Sequence, residues 1–262
     1  MNQFGKICKD IKEVKIQGAT NIAKYALKAY YLSPNEKSKR ILLSLRPTEP
    51  MLSHVMNLVG RAPKQDIMGH FKKAQDIINL QVFKLIRNRQ TIFTHCHSTN
   101  VVKALIYAKK RRKSFQVFNT ETRPLYQGRK TSRELARAGI KVTGWVDAAM
   151  DDAIKGSDII LLGSDAILKD GVINKIGSEA IAEIAFLRKK PVYVIADSWK
   201  FSPKNVKIEA RDFLEVWKNA PRKIKIMNPA FEKVDKKYIK GIVSEFGILG
   251  FDAFIKKVKN KS

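Results

Sequence analysis

The sequence predicts an α/β protein: a helical N-terminal domain over residues 1–88, followed by a doubly wound parallel sheet over residues 89–262. Three observations carry that prediction. Apolar side chains recur at helical spacing through roughly the first 88 positions. From Thr91 onward, short β-prone runs alternate with helical stretches of about ten residues, the pattern of βα units that close a parallel sheet. Polar side chains gather just past those runs, at Cys96, Glu121/Arg123, Asp147, Asp165 and Lys200, and in such sheets ligands sit outside the carboxyl ends of the strands. The second domain is therefore Rossmann-like in outline. No GxGxxG follows its first strand, which disfavours a dinucleotide site.

The elements follow in order. Phe4, Ile7, Ile11 and Val14 mark a helix over residues 3–16, interrupted by Gln17-Gly18-Ala19-Thr20. A helix over residues 21–32 resumes after the glycine, and its unpaired N–H groups suit either an anion or a plain helix–helix turn. Residues 33–35 form a turn, 39–45 are apolar, and Pro47 stands near the first position of a helix that continues over 51–58. Residues 66–87 form a longer amphipathic helix with Phe71, Ala74, Ile77, Ile78, Val82, Phe83 and Ile86 on one side. Strands are expected at 91–94, 115–120, 142–146, 158–162, 191–196 and 223–227, and intervening helices at 101–111, 132–138, 148–154 and 178–187. Residues 163–177 read as a loop, and two helical stretches are expected after Asn228-Pro229-Ala230-Phe231.

The chemistry centres on residues 91–100, TIFTHCHSTN. Cys96 lies between His95 and His97, and Ser98, Thr99 and Asn100 follow where a strand hands over to a helix, so a thiol and an anion-binding helix start meet at one turn. Alone, these residues also describe a buried, inert cysteine with Ser98 as an ordinary N-cap. Together with the other strand ends they suit proton transfer on a sugar phosphate. Cys96 acts as base if its pKa falls, which histidines, lysines or a helix start would promote, and a shielded Asp165 holds a proton as acid. A Cys-His-Asp hydrolase is the rival enzyme, without an independent motif here.

Composition narrows the classes. Two cysteines and four histidines give neither a disulfide framework nor a structural zinc spacing, and no metal or cofactor is expected. No apolar run reaches the roughly 20 residues of a membrane span, and the charged opening MNQFGKICKDIKEVKIQG has no apolar signal core, so a cytoplasmic protein without membrane contact is the expectation. The net charge of +27 favours anionic partners and leaves room for non-specific nucleic-acid contact; the lysines are scattered, with no nucleic-acid-binding motif.

Five motifs occur in one order: THCHS (94–98), TETRPLYQGR (120–129), GSDAILKDGVINKIG (163–177), DSWKF (197–201) and NPAF (228–231). Together they resemble the superfamily that contains ribose-1,5-bisphosphate isomerase, 5-methylthioribose-1-phosphate isomerase and the regulatory subunits of the translation-initiation exchange factor. Its isomerases are similar in carrying a Cys after the first strand and an Asp in the GxD loop, both kept here as Cys96 and Asp165, and THCHS resembles the ribose-1,5-bisphosphate branch. The resemblance implies conversion of ribose 1,5-bisphosphate to ribulose 1,5-bisphosphate, in nucleotide salvage feeding RuBisCO. In that reading Cys96 accepts a proton and Asp165 donates one. Gln17, Gly18, Ala19 and Thr20 lie at one phosphate and Arg46 at a phosphate; Ser98, Thr99 and Asn100 supply helix-start contacts; Asn174, Lys175 and Lys200 bind the sugar phosphate. It also implies a homodimer or homohexamer and allows a nucleotide effector. Two alternatives share the resemblance: a methylthioribose-1-phosphate isomerase, and a non-catalytic regulatory subunit that binds a nucleotide or sugar phosphate. Gln17 stands where the family usually has Arg, and the GSDAILKDGVINK loop is one residue shorter than the family pattern.

Overall fold

The computed structural model describes residues 2–47, 49–208 and 210–261. Five helices come first: α1 (Gln3–Lys12), α2 (Ala19–Leu32), α3 (Glu36–Leu45), α4 (Pro50–Leu58) and α5 (Lys64–Leu85). Local chemistry sets their starts. Asn2 caps α1 by accepting from the Gly5 N–H, and Asn35 caps α3 by accepting from the Ser38 N–H. Gly18 takes φ +82° immediately before α2, a turn that costs a side-chain-bearing residue strain. Pro50, not Pro47, occupies the first turn of α4, because Pro47 stands in the turn after α3; Thr48 lies outside the described residues.

These helices bury Ile11, Ile22, Leu27, Leu42, Met51 and Met56 in one core. Helix α5 belongs to two cores. Its first half packs Ile67 and Phe71 into the helical core, and its second half packs Ile78 and Val82 beneath the sheet. Ile77, expected on the same face, is exposed.

The second half contains β1 (Gln90–Thr94), α6 (Thr99–Lys110), β2 (Phe115–Thr120), α7 (Gln127–Arg137), β3 (Lys141–Trp145), α8 (Met150–Lys155), β4 (Ile159–Leu162), β5 (Ala166–Ile167), β6 (Gly171–Lys175), α9 (Ser178–Leu187), β7 (Val192–Ile195), β8 (Phe231–Asp235), β9 (Gly241–Ser244), β10 (Gly247–Leu249) and α10 (Phe251–Lys259). The main sheet runs β10-β9-β7-β4-β1-β2-β3, parallel except for β10. Its parallel strands, counted along the chain, follow the 3-2-1-4-5-6 order of a doubly wound dinucleotide-type sheet. Strand period two sends Ile92 and Leu161 toward the α5–α6 layer and Phe93, Ile160 and Leu162 toward α8 and α9, so both faces are buried.

Several boundaries differ from the sequence expectation. The loop 163–177 contains β5 and β6, which pair antiparallel with each other and, through β6, with β8. A two-residue strand carries too little pattern to be read. Gln127 and Gly128 lie in the first turn of α7, so that helix starts five residues before the expected 132. No strand forms at 223–227; the lysines alternating with Ile224 and Ile226 find no sheet edge, and the third place in the small sheet goes to β8. The two expected C-terminal helices are replaced by β8, β9, β10 and the single helix α10, since β-branched Ile242-Val243 and Ile248 follow Gly241 and Gly247, which interrupt helical continuation.

Gly163 lets β4 close against the β1–α6 turn: a Cβ placed there would stand 2.6 Å from Ser98 Cβ and 2.7 Å from its Oγ. Gly163→Ala is therefore expected to lower stability by about 1–3 kcal/mol, read as a fall in melting temperature. Ser98→Gly in the same chain should recover most of that loss, since it removes the clashing atoms and replaces an N-cap serine by glycine at little cost.

Candidate functional site

A cleft of about 790 Å³, counting its solvent-filled mouth, opens over the carboxyl ends of β1 and β4. From these neighbouring strands the chain departs to opposite faces of the sheet, the position at which doubly wound folds bind ligands. The cleft is walled on the other side by the α1–α2 turn and by the α3–α4 corner, and it brings together every residue expected there: Gln17, Gly18, Ala19, Thr20, Arg46, Cys96, Ser98, Thr99, Asn100, Asp165, Asn174, Lys175 and Lys200. Of the strand-end residues flagged from sequence, Glu121, Arg123 and Asp147 are not part of it. The Asp147 carboxylate accepts the N–H groups of Thr122 and Arg123 at 2.8 and 2.7 Å, and Glu121 pairs with Arg129, so these side chains organise the β2–α7 loop instead.

Cys96 is held by its backbone. It adopts φ +64°, its N–H donates to Thr122 Oγ1 at 3.0 Å, and its carbonyl accepts from Thr131 Oγ1 at 2.8 Å. A left-handed non-glycine residue fixed on both sides is typical of a constrained functional turn. The flanking histidines are structural. His95 bonds Thr120 Oγ1 through Nδ1 and the Ile176 carbonyl through Nε2 at 2.9 Å. The carbonyl can only accept, so Nε2 carries the proton, and burial pushes the pKa of the ring down, which favours its neutral form. Thr131 spends its hydroxyl proton on Cys96, so His97 Nδ1 must donate to Thr131 Oγ1, at 3.0 Å. Burial, aided by Lys130, pushes His97 down to about 4.

The electrostatics run against one expectation. Burial pushes the Cys96 thiol up to about 12; Lys175 and the His97 backbone N–H oppose the rise, while Asp165 and Asp147 add to it. Neither histidine ring is charged to lower it, so the neighbours proposed to activate the thiol reduce to Lys175 and the backbone N–H of His97 just before the helix start. Asp165 is raised as well, by burial, against the pull of Lys200, Arg46, Lys175 and Arg211. A carboxyl group inclined to keep its proton is what an acid requires.

Lys200 is the best-anchored cation. Its buried ammonium donates to the Ser164 carbonyl at 2.5 Å and to Asn100 Oδ1 at 3.2 Å. An ammonium only donates, which fixes the amides behind it: Asn100 Nδ2 donates to Gln75 Oε1 at 3.0 Å, and Gln75 Nε2 to Asn79 Oδ1 at 2.7 Å. Asn174 spends its amide on Ser178 Oγ at 2.9 Å, so it braces the α9 start at the cleft wall. Gln17 donates to the Val14 carbonyl at 2.9 Å and is exposed.

The N-termini of α2 and α6 both open into the cleft, adding dipole and N–H donors to Arg46, Lys175 and Lys200. Sequence reasoning missed Glu49, which approaches Arg46 at 3.8 Å, and Arg211, which approaches Glu215 at 3.6 Å. Glu49 stands three residues after Arg46, a spacing that would have suggested a pair. Arg211 comes from an irregular segment and carried no signal. Among the described residues, no three metal-type donors meet within the cleft, and no helix is long and apolar enough to cross a membrane.

Fold and cleft together define a Rossmann-like α/β protein with an anion-receptive site at the sheet's switch point. The chain belongs to the Initiation factor 2 subunit family, whose model matches residues 36–250. It is 34% identical to ribose 1,5-bisphosphate isomerase of Methanocaldococcus jannaschii, over 91% of this chain and 89% of that one. It is 29% identical to a putative translation initiation factor eIF-2B subunit 2-like protein of Pyrococcus horikoshii, over 93% and 95%. Among solved structures, translation initiation factor eIF-2B of Pyrococcus horikoshii superposes with a TM-score of 0.85 at 26% identity, covering 95% of this chain and 98% of that one. The 5-methylthioribose 1-phosphate isomerase of the same organism shares the fold, with a TM-score of 0.80 at 22% identity, over 99% and 88%.

The neutral thiol has a measurable signature. An ordinary cysteine ionises near pH 8.5, and its alkylation rate levels off about a unit above that. Iodoacetamide modification of Cys96, followed by peptide mass spectrometry on the unliganded protein, should be slow at neutral pH and still climbing at pH 10. Lys175→Met should slow it further.

Proposed function

We propose that this chain is an aldose–ketose isomerase that converts ribose 1,5-bisphosphate to ribulose 1,5-bisphosphate. The observation that carries the reading is the pairing of Cys96 with Asp165, whose pKa burial raises, on one cleft floor, ringed by Arg46, Lys175, Lys200 and two helix N-termini. The relatives named ribose 1,5-bisphosphate isomerase support it.

The reaction moves one proton from C2 to C1 and opens the ring. Ionised Cys96 takes the C2 proton; the electron pair forms the C1–C2 double bond as the bond from C1 to the ring oxygen breaks, and Asp165 protonates that oxygen. The enol then collapses: Asp165 takes back a proton from the 2-hydroxyl, the C2 carbonyl forms, and Cys96 returns its proton to C1. Both residues end as they began. Lys175 is the cation positioned to favour the thiolate, and a protonated Asp165 no longer adds to the rise of Cys96. Lys200 and the helix starts bind phosphate and hydroxyl oxygens. The same reading includes a homodimer or homohexamer, a place in nucleotide salvage feeding RuBisCO, and a cytoplasmic setting.

Purified protein should turn over ribose 1,5-bisphosphate, and Cys96→Ser or Asp165→Asn should each cost about 10²–10⁴-fold in kcat with folding intact. No turnover of this sugar or of methylthioribose 1-phosphate, with sugar phosphates raising the melting temperature, would favour a binding protein instead. The reactive form holds Cys96 ionised and Asp165 protonated. Between the two pKa values each added pH unit gains thiolate as fast as it loses acid. kcat/KM should therefore be level between the Asp165 and Cys96 values, fall below the Asp165 value as thiolate is lost, and fall again above the Cys96 value as the acid is lost. Gln17→Arg should lower KM for the bisphosphate by roughly 10–100-fold, the equivalent of one charge-assisted hydrogen bond.

A further inference from the structure

On the far side of the Ser198–Lys200 turn from the cleft, three side chains from three separate elements converge. His70 from α5, Asp197 from the end of β7 and Glu245 from the β9–β10 turn place one donor atom each within 4.8 Å of one another. His70 Nε2 lies 3.0 and 3.1 Å from the two Asp197 oxygens. From this geometry we propose that His70, Asp197 and Glu245 form a binding site for a divalent transition-metal ion, outside the sugar-phosphate cleft.

The donor set selects the ion. One imidazole with two carboxylates suits Zn²⁺, Mn²⁺ or Fe²⁺, and the nitrogen disfavours Mg²⁺ and Ca²⁺, which take oxygen shells. Two ligands held at about 2.1 Å from one ion stand at most about 4.2 Å apart. The observed spread, up to 4.8 Å, meets that limit with a shift of about 0.6 Å and the roughly 3.4 Å of a tetrahedral pair with about 1.4 Å, which the part-exposed Glu245 side chain can supply. Each donor is already oriented from behind. Asp197 Oδ1 accepts the Trp199 N–H at 2.9 Å, the Glu245 carboxylate accepts the Ser198 N–H at 3.1 Å, and the His70 ring stacks on Trp199 at 3.5 Å and 4°. Such outer contacts are what hold metal ligands in place. Asp197 is buried, while His70 and Glu245 border a second open cleft shared with His54 and Phe246, which leaves an entry path and room for water ligands.

A His70–Asp197 ion pair accounts for two of the three groups only. Glu245 is directed at the same point and enters no ion pair among the described residues. A divalent ion neutralises both carboxylates at once. Lys24 and Lys200 both lie within electrostatic reach of Asp197, so moderate affinity is expected. None of the three ligands lines the catalytic cleft, although Asp197 begins the turn that ends at Lys200.

The test is metal binding itself. After removal of metal with a chelator, full-length protein is titrated with Zn²⁺, Mn²⁺ and Mg²⁺ in equilibrium dialysis and with Co²⁺ in absorption spectroscopy. The expected result is one Zn²⁺ or Co²⁺ per chain, a Co²⁺ spectrum without thiolate charge-transfer bands, little Mg²⁺, and a raised melting temperature. His70→Ala and the near-isosteric Glu245→Gln should each weaken binding roughly tenfold or more, with far-UV circular dichroism confirming the fold. No Zn²⁺ or Co²⁺ uptake by the unsubstituted protein, unchanged affinity in Glu245→Gln, or a thiolate spectrum pointing to Cys8 or Cys96 would each overturn the proposal.

Discussion

One buried ammonium organises the cleft. Lys200 enters from the turn after β7 and reaches the Ser164 carbonyl after β4 and the Asn100 amide at the start of α6, so three separate chain segments close on one charge. Removing a charge from water is costly unless every proton finds an acceptor. The chain supplies acceptors for two of the three ammonium protons, a carbonyl and an oriented amide, and Gln75 and Asn79 hold the amide in turn. Asp165 lies within the field of Lys200. The position of the loop that carries Asp165 is thus linked to the position of the cation.

The same dryness shapes the Cys96–Asp165 pair. Burial raises the pKa of both groups, and the cations around them offset only part of that effect. A site of this kind keeps its thiol quiet when empty. The positive φ at Cys96 and the two threonines that grip its backbone maintain the thiol's aim without any bond to the sulfur itself. The histidines on either side, which look like activators in the linear sequence, belong to the scaffold. His95 ties β1 to the loop before α9, and His97 ties the turn to α7.

What could be read in advance follows from how local each signal is. Helical periodicity in residues 3–85 and the β-prone runs before Cys96, Glu121 and Asp165 are short-range patterns, and they located the sheet and the switch point. The cleft residues were legible because strand ends in this architecture converge, and because the five ordered motifs resemble one superfamily. The strands β5, β6 and β8 were not legible: β6 and β8 pair residues about sixty positions apart, and β5, which pairs locally with β6, has only two residues and so no period. Arg211 was equally hidden, because nothing in the irregular segment before β8 shows where it folds back. Asp147 was flagged correctly as a strand-end carboxylate, yet its partners are backbone N–H groups, a role that side-chain type cannot distinguish from catalysis.

Helix α5 has a mechanical consequence. It is one unbroken rod of 22 residues whose first turns sit in the helical core and whose last turns sit beneath the sheet. The cleft's two walls are therefore riveted to the same beam, and swinging them apart as rigid bodies would tear apolar contacts from one end or the other. Ligand traffic must pass instead through shorter pieces that can yield separately, such as the loop carrying Asp165 or the irregular stretch carrying Arg211. For the same reason, the two halves of the chain should melt in one cooperative step.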